Sequence, residues 1–112
     1  MKKVEAIIKP SKLDDVKEAL HALGVHAMTF TEVEGCGRPS QHVRTFRGCA
    51  YVVDVVSEIR VDVVASDALA WQVVDAISEA AKTGAPDDGK IFVTEVLEAV
   101  RIRTGEIGEH AI

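Results

Sequence analysis

Residues 2–24 read KKVEAIIKPSKLDDVKEALHALG, and two periods meet inside them. Val4, Ala6 and Ile8 alternate with Lys3, Glu5 and Lys9, the two-residue repeat of a strand with one buried face. Pro10 ends that run. Leu13, Val16, Leu20 and Leu23 then recur at helical spacing, and Gly24 supplies a stop. Ser11, with Asp14 three residues on, is the expected N-cap. The first unit is therefore a strand followed by a helix, and Val25 to Gly35, rich in Val, Thr and Phe, reads as the next strand.

The second half repeats the order. Ala50 to Val56 and Ile59 to Ala65 are β-branched runs, either two strands or one long bent strand. Ser66 opens a helix carrying Leu69, Val73, Val74, Ile77 and Ala81, and Gly84 and Pro86 close it. Residues 90–97, KIFVTEVL, form a last strand, which Ala99 to Arg103 extend. Phe30-Thr31-Glu32-Val33 is echoed by Val93-Thr94-Glu95-Val96. Two right-handed β-α-β units give an α+β, ferredoxin-like βαββαβ domain, an antiparallel sheet with both helices on one face. Val, Ile and Phe fall on both parities of the strands, so the other face is expected to be apolar and covered by copies of the chain.

The chain of 112 residues is one domain, 1–112, with 47% hydrophobic and 28% charged residues, a globular composition. A net charge of −5 argues against nucleic acid as a partner. No apolar run approaches the roughly 20 residues of a membrane span, and MKKVEAIIKP lacks a signal-peptide core, so a cytoplasmic location is expected. Cys36 and Cys49 fit no metal or redox spacing.

The acidic chain concentrates positive charge in two places. Arg38, Arg44 and Arg47 lie in the stretch 36–49, long for a loop and without a clean period. Lys90, Arg101 and Arg103 form the other group; on a strand, the two arginines share a face, roughly 6.6 Å apart. Lys90 follows a glycine turn, Thr83-Gly84-Ala85-Pro86-Asp87-Asp88-Gly89, whose N–H groups and lysine suit a phosphate, although a solvated basic edge has the same composition. It is not a P-loop, since GxxxxGK[ST] is missing. Gly35 and Gly37 suit close backbone approach to a ligand, or simply a turn. Tyr51 is a candidate for modification or partner contact, and Trp71 reads as packing. None of His21, His26, His42 and His110 pairs with another ligand at metal spacing; His42, with Cys36 or Cys49, is the metal candidate. The tail 105–112 has little to bury and reads as loose. No nucleophile–base arrangement stands out, so the chain is not read as an enzyme.

The segments MKKVEAIIKPSKLDDVKEAL, MTFTEVEGCGR, RGCAYVVDV, DDGKIFV and RIRTGE, in this order, resemble the PII signal-transduction proteins from Met1 to about Glu106. The resemblance implies a homotrimer with adenine nucleotide (ADP, AMP or ATP) as an effector in clefts between subunits. It also implies a T-loop, about 36–52, docking on a target protein, a transporter or regulatory enzyme. Carried over by position, Gly35, Gly37, Arg38, Thr83, Asp88, Gly89 and Lys90 line the cleft from one subunit, Arg101 and Arg103 come from its neighbour, and Ile7 and Val64 touch the adenine.

Four departures qualify the resemblance. Pro39 stands where the family has a glutamine that helps hold magnesium and 2-oxoglutarate, and Glu58 stands in place of a lysine that pairs with the 2-oxoglutarate carboxylate. Two like charges about 4 Å apart, at an effective dielectric of about 20, cost about 4 kcal/mol before solvent screening, so loss of the 2-oxoglutarate site is expected. Asp87 replaces a phosphate-loop glycine and should disfavour the triphosphate most. Phe46, Cys49 and Ala50 change the surroundings of Tyr51. Such a divergent branch leaves a metal-tolerance trimer linked to cation efflux as the alternative.

Overall fold

A computed structural model describes residues 1–36, 43–46, 49–52 and 55–112. The elements are β1 (Lys2–Ile8), α1 (Leu13–Ala22), β2 (Thr29–Cys36), β3 (Val43–Phe46), β4 (Cys49–Val52), β5 (Val55–Ala65), α2 (Asp67–Ala81) and β6 (Lys90–Glu95). Four strands make one antiparallel sheet in the order β2-β5-β1-β6, the ferredoxin-like arrangement. The alternation in β1 sets its register: Val4 faces Val63, Ala6 faces Val61 and Ile8 faces Ile59 across the ladder with β5. These six are buried against Val16 and Leu20 of α1 and Ala70, Val73, Ile77 and Ala81 of α2. The core is thus aliphatic, as a chain with 4% aromatic residues requires.

The end of α1 shows how local sequence positions a helix. Gly24 takes φ +81°, its N–H donates to His21 O at 2.9 Å, and Val25 N–H donates to Leu20 O at 3.0 Å. That is the paired hydrogen-bond pattern of a Schellman stop, and Val25 and Leu20 are both buried beside it. The start of α1 differs from expectation. Pro10–Lys12 form a 3-10 turn running straight into the helix, so Ser11 lies inside the turn and makes no cap. Proline's fixed φ starts a turn without needing a side-chain acceptor. Ser66 does cap α2, its Oγ accepting from Leu69 N–H at 3.3 Å.

Other expectations change. The stretch 36–49 contains β3, which pairs antiparallel with β4 outside the main sheet. Ser57-Glu58 does not interrupt a strand, since β5 runs through it from Val55 to Ala65. Trp71 is 55% exposed rather than packed. The open face of the sheet is not uniformly apolar: Arg60 Nε lies 3.2 Å from Asp62 and 3.7 Å from Glu5, while Lys3 Nζ lies 3.6 Å from Asp62. Charged residues of β1 and β5 alternate with the core residues and neutralise one another there.

The final strand stops at Glu95 and does not extend through Arg103. Residues 99–108 instead turn back on themselves, with a bridge between Val100 and Ile107 and hydrogen bonds from Arg101 N–H to Glu106 O (2.8 Å) and from Gly105 N–H to Arg101 O (2.8 Å). A 3-10 turn, Gly108–Ala111, follows, so the tail expected to be loose has defined secondary structure. Among the described residues, no helix is long and apolar enough to cross a membrane.

Candidate functional site

The residues singled out from the sequence fall at the two ends of β1. At its C-terminal end, Ile7 pairs with Lys90 of β6 and Arg60 of β5. Gly89 packs against the same point: with φ +104°, it lies so close to Ile7 that an added Cβ would sit 1.8 Å from Ile7 O. Only a residue without a side chain fits there. Ile7, Asp88, Gly89 and Lys90, together with Ile8, Val74 and Ile77, line a cleft of about 270 Å³ between the glycine turn and α2. Gly35 is at the same end of the sheet, but inside β2 rather than in a turn, beneath the Glu58 side chain. Gly37, Arg38, Pro39 and His42 lie outside the described residues. The backbone of Tyr51 pairs with Arg44 in the β3–β4 register.

The turn before β6 is built around Asp88. Its carboxylate accepts from Thr83 N–H and Gly84 N–H, both at 2.8 Å, and from the Thr83 hydroxyl. The Thr83 hydroxyl, then its N–H, hold the Asp88 carboxyl well below the usual range, against some desolvation. Thr83 and Asp88 thereby shape the loop, and the N–H groups they use are spent on each other. Asp87, the departure at the glycine position, bridges to Lys9 Nζ at 3.0 Å, and Lys9 also lies 3.5 Å from Asp88. The Asp87 hydrogen bond leads in raising the Lys9 pKa. Lys9 was not singled out from the sequence; its place at the end of the β1 run, just before Pro10, was the available signal.

A pH dependence follows. The folded Asp88 holds its proton less tightly than the unfolded chain does. Its contribution is full above the ordinary carboxylate value of about 4 and is lost as pH falls below it. Acidification from about pH 5 to about pH 2.5 is expected to loosen the Thr83–Asp88 loop, and Asp88→Asn should flatten that part of the stability–pH curve. Thermal melts of both proteins across this range check it; parallel curves would refute the assignment.

At the N-terminal end of β1 stand Val64, Arg101 and Arg103. Val64 pairs with Lys3, four residues and roughly 13 Å along β1 from Ile7. It lines a separate hollow of about 410 Å³ with His26, Ser66, Glu109 and Ile112. Val96 N–H donates to Met1 O at 3.1 Å, so the hairpin carrying the arginines leaves the sheet at this end. Because the hairpin turns at 102–104, the arginines do not share a strand face. Arg101 is bridged to Glu106 at 3.5 Å, and Arg103 is exposed without an ion pair to any described residue. One more proximity was missed: the rings of His21 and His26, expected to be unpaired, have centroids 5.4 Å apart.

An antiparallel sheet in this order, with two helices on one face and a glycine turn leading into the edge strand, defines a ferredoxin-like α+β domain. The family model for nitrogen regulatory protein P-II matches residues 1–106. The nitrogen regulatory protein P-II of Azospirillum brasilense is 54% identical over 112 residues, covering all of both chains. Those of Rhizobium meliloti and Haemophilus influenzae are 54% and 52% identical over the same full length. The chain belongs to the nitrogen regulatory protein P-II family. Its members are signal-transduction regulators and not enzymes. The cation-efflux alternative receives no support from these relatives.

Proposed function

We propose that this protein is a homotrimeric regulator that binds an adenine nucleotide, ADP or AMP in preference to ATP, between neighbouring subunits. The T-loop, about 36–52, then presents to a target protein a surface that depends on the nucleotide. The observation that carries this reading is the division of the site. Ile7, Gly35, Gly89 and Lys90 sit at one end of the sheet and Val64, Arg101 and Arg103 at the other. One chain cannot close these halves on one ligand; two chains, packed so that one end meets the other, can. Large apolar side chains beside the second half support such packing, with Leu97 97%, Ile102 100% and Ile107 59% exposed.

The nucleotide preference rests on charge. Asp87 and Asp88 already engage Lys9 near the phosphate turn, so Lys90 and the neighbour's arginines are left to balance the ligand. A diphosphate or monophosphate brings less negative charge toward two carboxylates than a triphosphate. Glu58 beside Gly35 opposes a dicarboxylate in the same way. Ligand binding can shift the T-loop only through different affinities for its states, and Arg38 at the loop base is the residue through which phosphate would act.

Sedimentation and calorimetry test the reading together. A trimer binding one ADP per chain, with weaker ATP binding and no 2-oxoglutarate heat even with magnesium and ATP present, is expected. A monomer, or a trimer indifferent to all three nucleotides, would overturn it.

A further inference from the structure

We propose that His21 and His26 form a surface site for a borderline divalent metal ion, with copper(II) the tightest ligand and zinc and nickel weaker. The two rings stand with centroids 5.4 Å apart and 34° between their planes, and both residues are exposed. The Schellman stop between them folds the intervening chain back. Gly24 N–H donates to the carbonyl of His21 itself, and Val25, the residue before His26, is buried and tied to Leu20. The backbone on both sides of the pair is therefore set before any ligand arrives. Such preorganisation lowers the entropic cost of bringing two imidazoles to one ion.

The chemistry favours a cation at this place. Imidazole is the ligand type of copper, zinc and nickel, while magnesium and calcium prefer oxygen. His21 occupies the last turn of α1, where the helix dipole is negative and a positive ion is stabilised. Glu109 lines the hollow that His26 borders, adding negative charge nearby. Among the described residues, no group of three His, Cys, Asp or Glu gathers around an ion, so water fills the remaining positions. The site is consequently open and exchangeable. Its two ligands are not among the residues carried over for the nucleotide.

The test uses the full chain without a histidine tag, titrated with copper(II), zinc(II), nickel(II) and magnesium(II) by calorimetry. One copper per chain is expected, with zinc and nickel weaker and magnesium silent. His21→Gln and His26→Gln should each weaken copper binding by at least about tenfold. The double variant should fall little further than either single one, because each removes the same chelate. Both side chains are exposed, so the fold should survive both changes. His42→Gln and His110→Gln should leave the affinity unchanged. Electron paramagnetic resonance of the copper complex should show coupling to two nitrogens and lose it in the variants. Undiminished copper binding by the His21 and His26 variants, or a spectrum they do not alter, would overturn the proposal.

Discussion

Gly89→Ala is expected to destabilise the protein by about 3 kcal/mol or more, among the larger effects of any single substitution. The added methyl would lie 1.8 Å from Ile7 O and 2.9 Å from Ile7 C, both backbone atoms. That backbone cannot retreat easily, since β1 is paired to β5 on one side and β6 on the other. The residue must also hold φ +104°, which disfavours any side chain. Gly24 offers the contrast: its φ is +81°, but nothing lies within 4 Å of where a Cβ would stand, so Gly24→Ala carries only the backbone cost. Chemical denaturation should place the Gly89→Ala midpoint far below both the parent and Gly24→Ala. A midpoint equal to that of Gly24→Ala would mean that the Ile7 contact is not closed in solution.

Arg103→Ala is expected to weaken nucleotide binding by about a hundredfold, near 3 kcal/mol, while the melting temperature of the ligand-free protein stays put. The side chain is exposed and makes no ion pair or hydrogen bond with a described residue, so its removal costs the isolated fold little. In the proposed site it faces phosphate oxygens, where a guanidinium makes charge-assisted, paired hydrogen bonds. Arg101→Ala should do less, because Glu106 already engages that guanidinium and a phosphate must compete with it for the same charge. Calorimetry with ADP separates the two arginines. Unchanged affinity in Arg103→Ala would remove the second half of the proposed cleft.

Much of the architecture could be read from the chain alone. Two-residue alternation marked β1, a β-branched run marked Ile59 to Ala65 of β5, and the helical spacing of Val16, Leu20, Val73 and Ile77 picked the buried stripes of both helices. Gly24 and Ser66 marked a stop and a start correctly, because each acts through hydrogen bonds to residues close by in the chain. The errors share a cause. Arg101 and Arg103 look like neighbours on a strand face, but a turn intervenes, closed by the Arg101–Glu106 backbone hydrogen bond and ion pair, which no two-residue period announces. Ser11 has the composition of a cap, yet Pro10 initiates the turn ahead of it. The apolar content of the open sheet face was overstated, because cross-strand register, not composition, brings Lys3, Glu5, Arg60 and Asp62 together.

The candidate site was legible as a set of residues and illegible as a place. Glycines, a lysine and two arginines in a chain of net charge −5 suit an anion as well as a solvated basic edge, and the family resemblance chose the anion. That Asp88 is spent on Thr83 and Gly84, that Lys9 is held by Asp87, and that His21 meets His26 required the folded chain. Local order is written in hydrogen bonds and side-chain periods a few residues long, so the amino acids alone settle β1, both helices and the start of β6, while β3 and the 99–108 hairpin, which lack such a period, emerge only in the fold. Which half of the site can reach which is a matter of strand direction in a finished sheet: β1 holds its two ends apart, and only the tertiary structure reveals that separation.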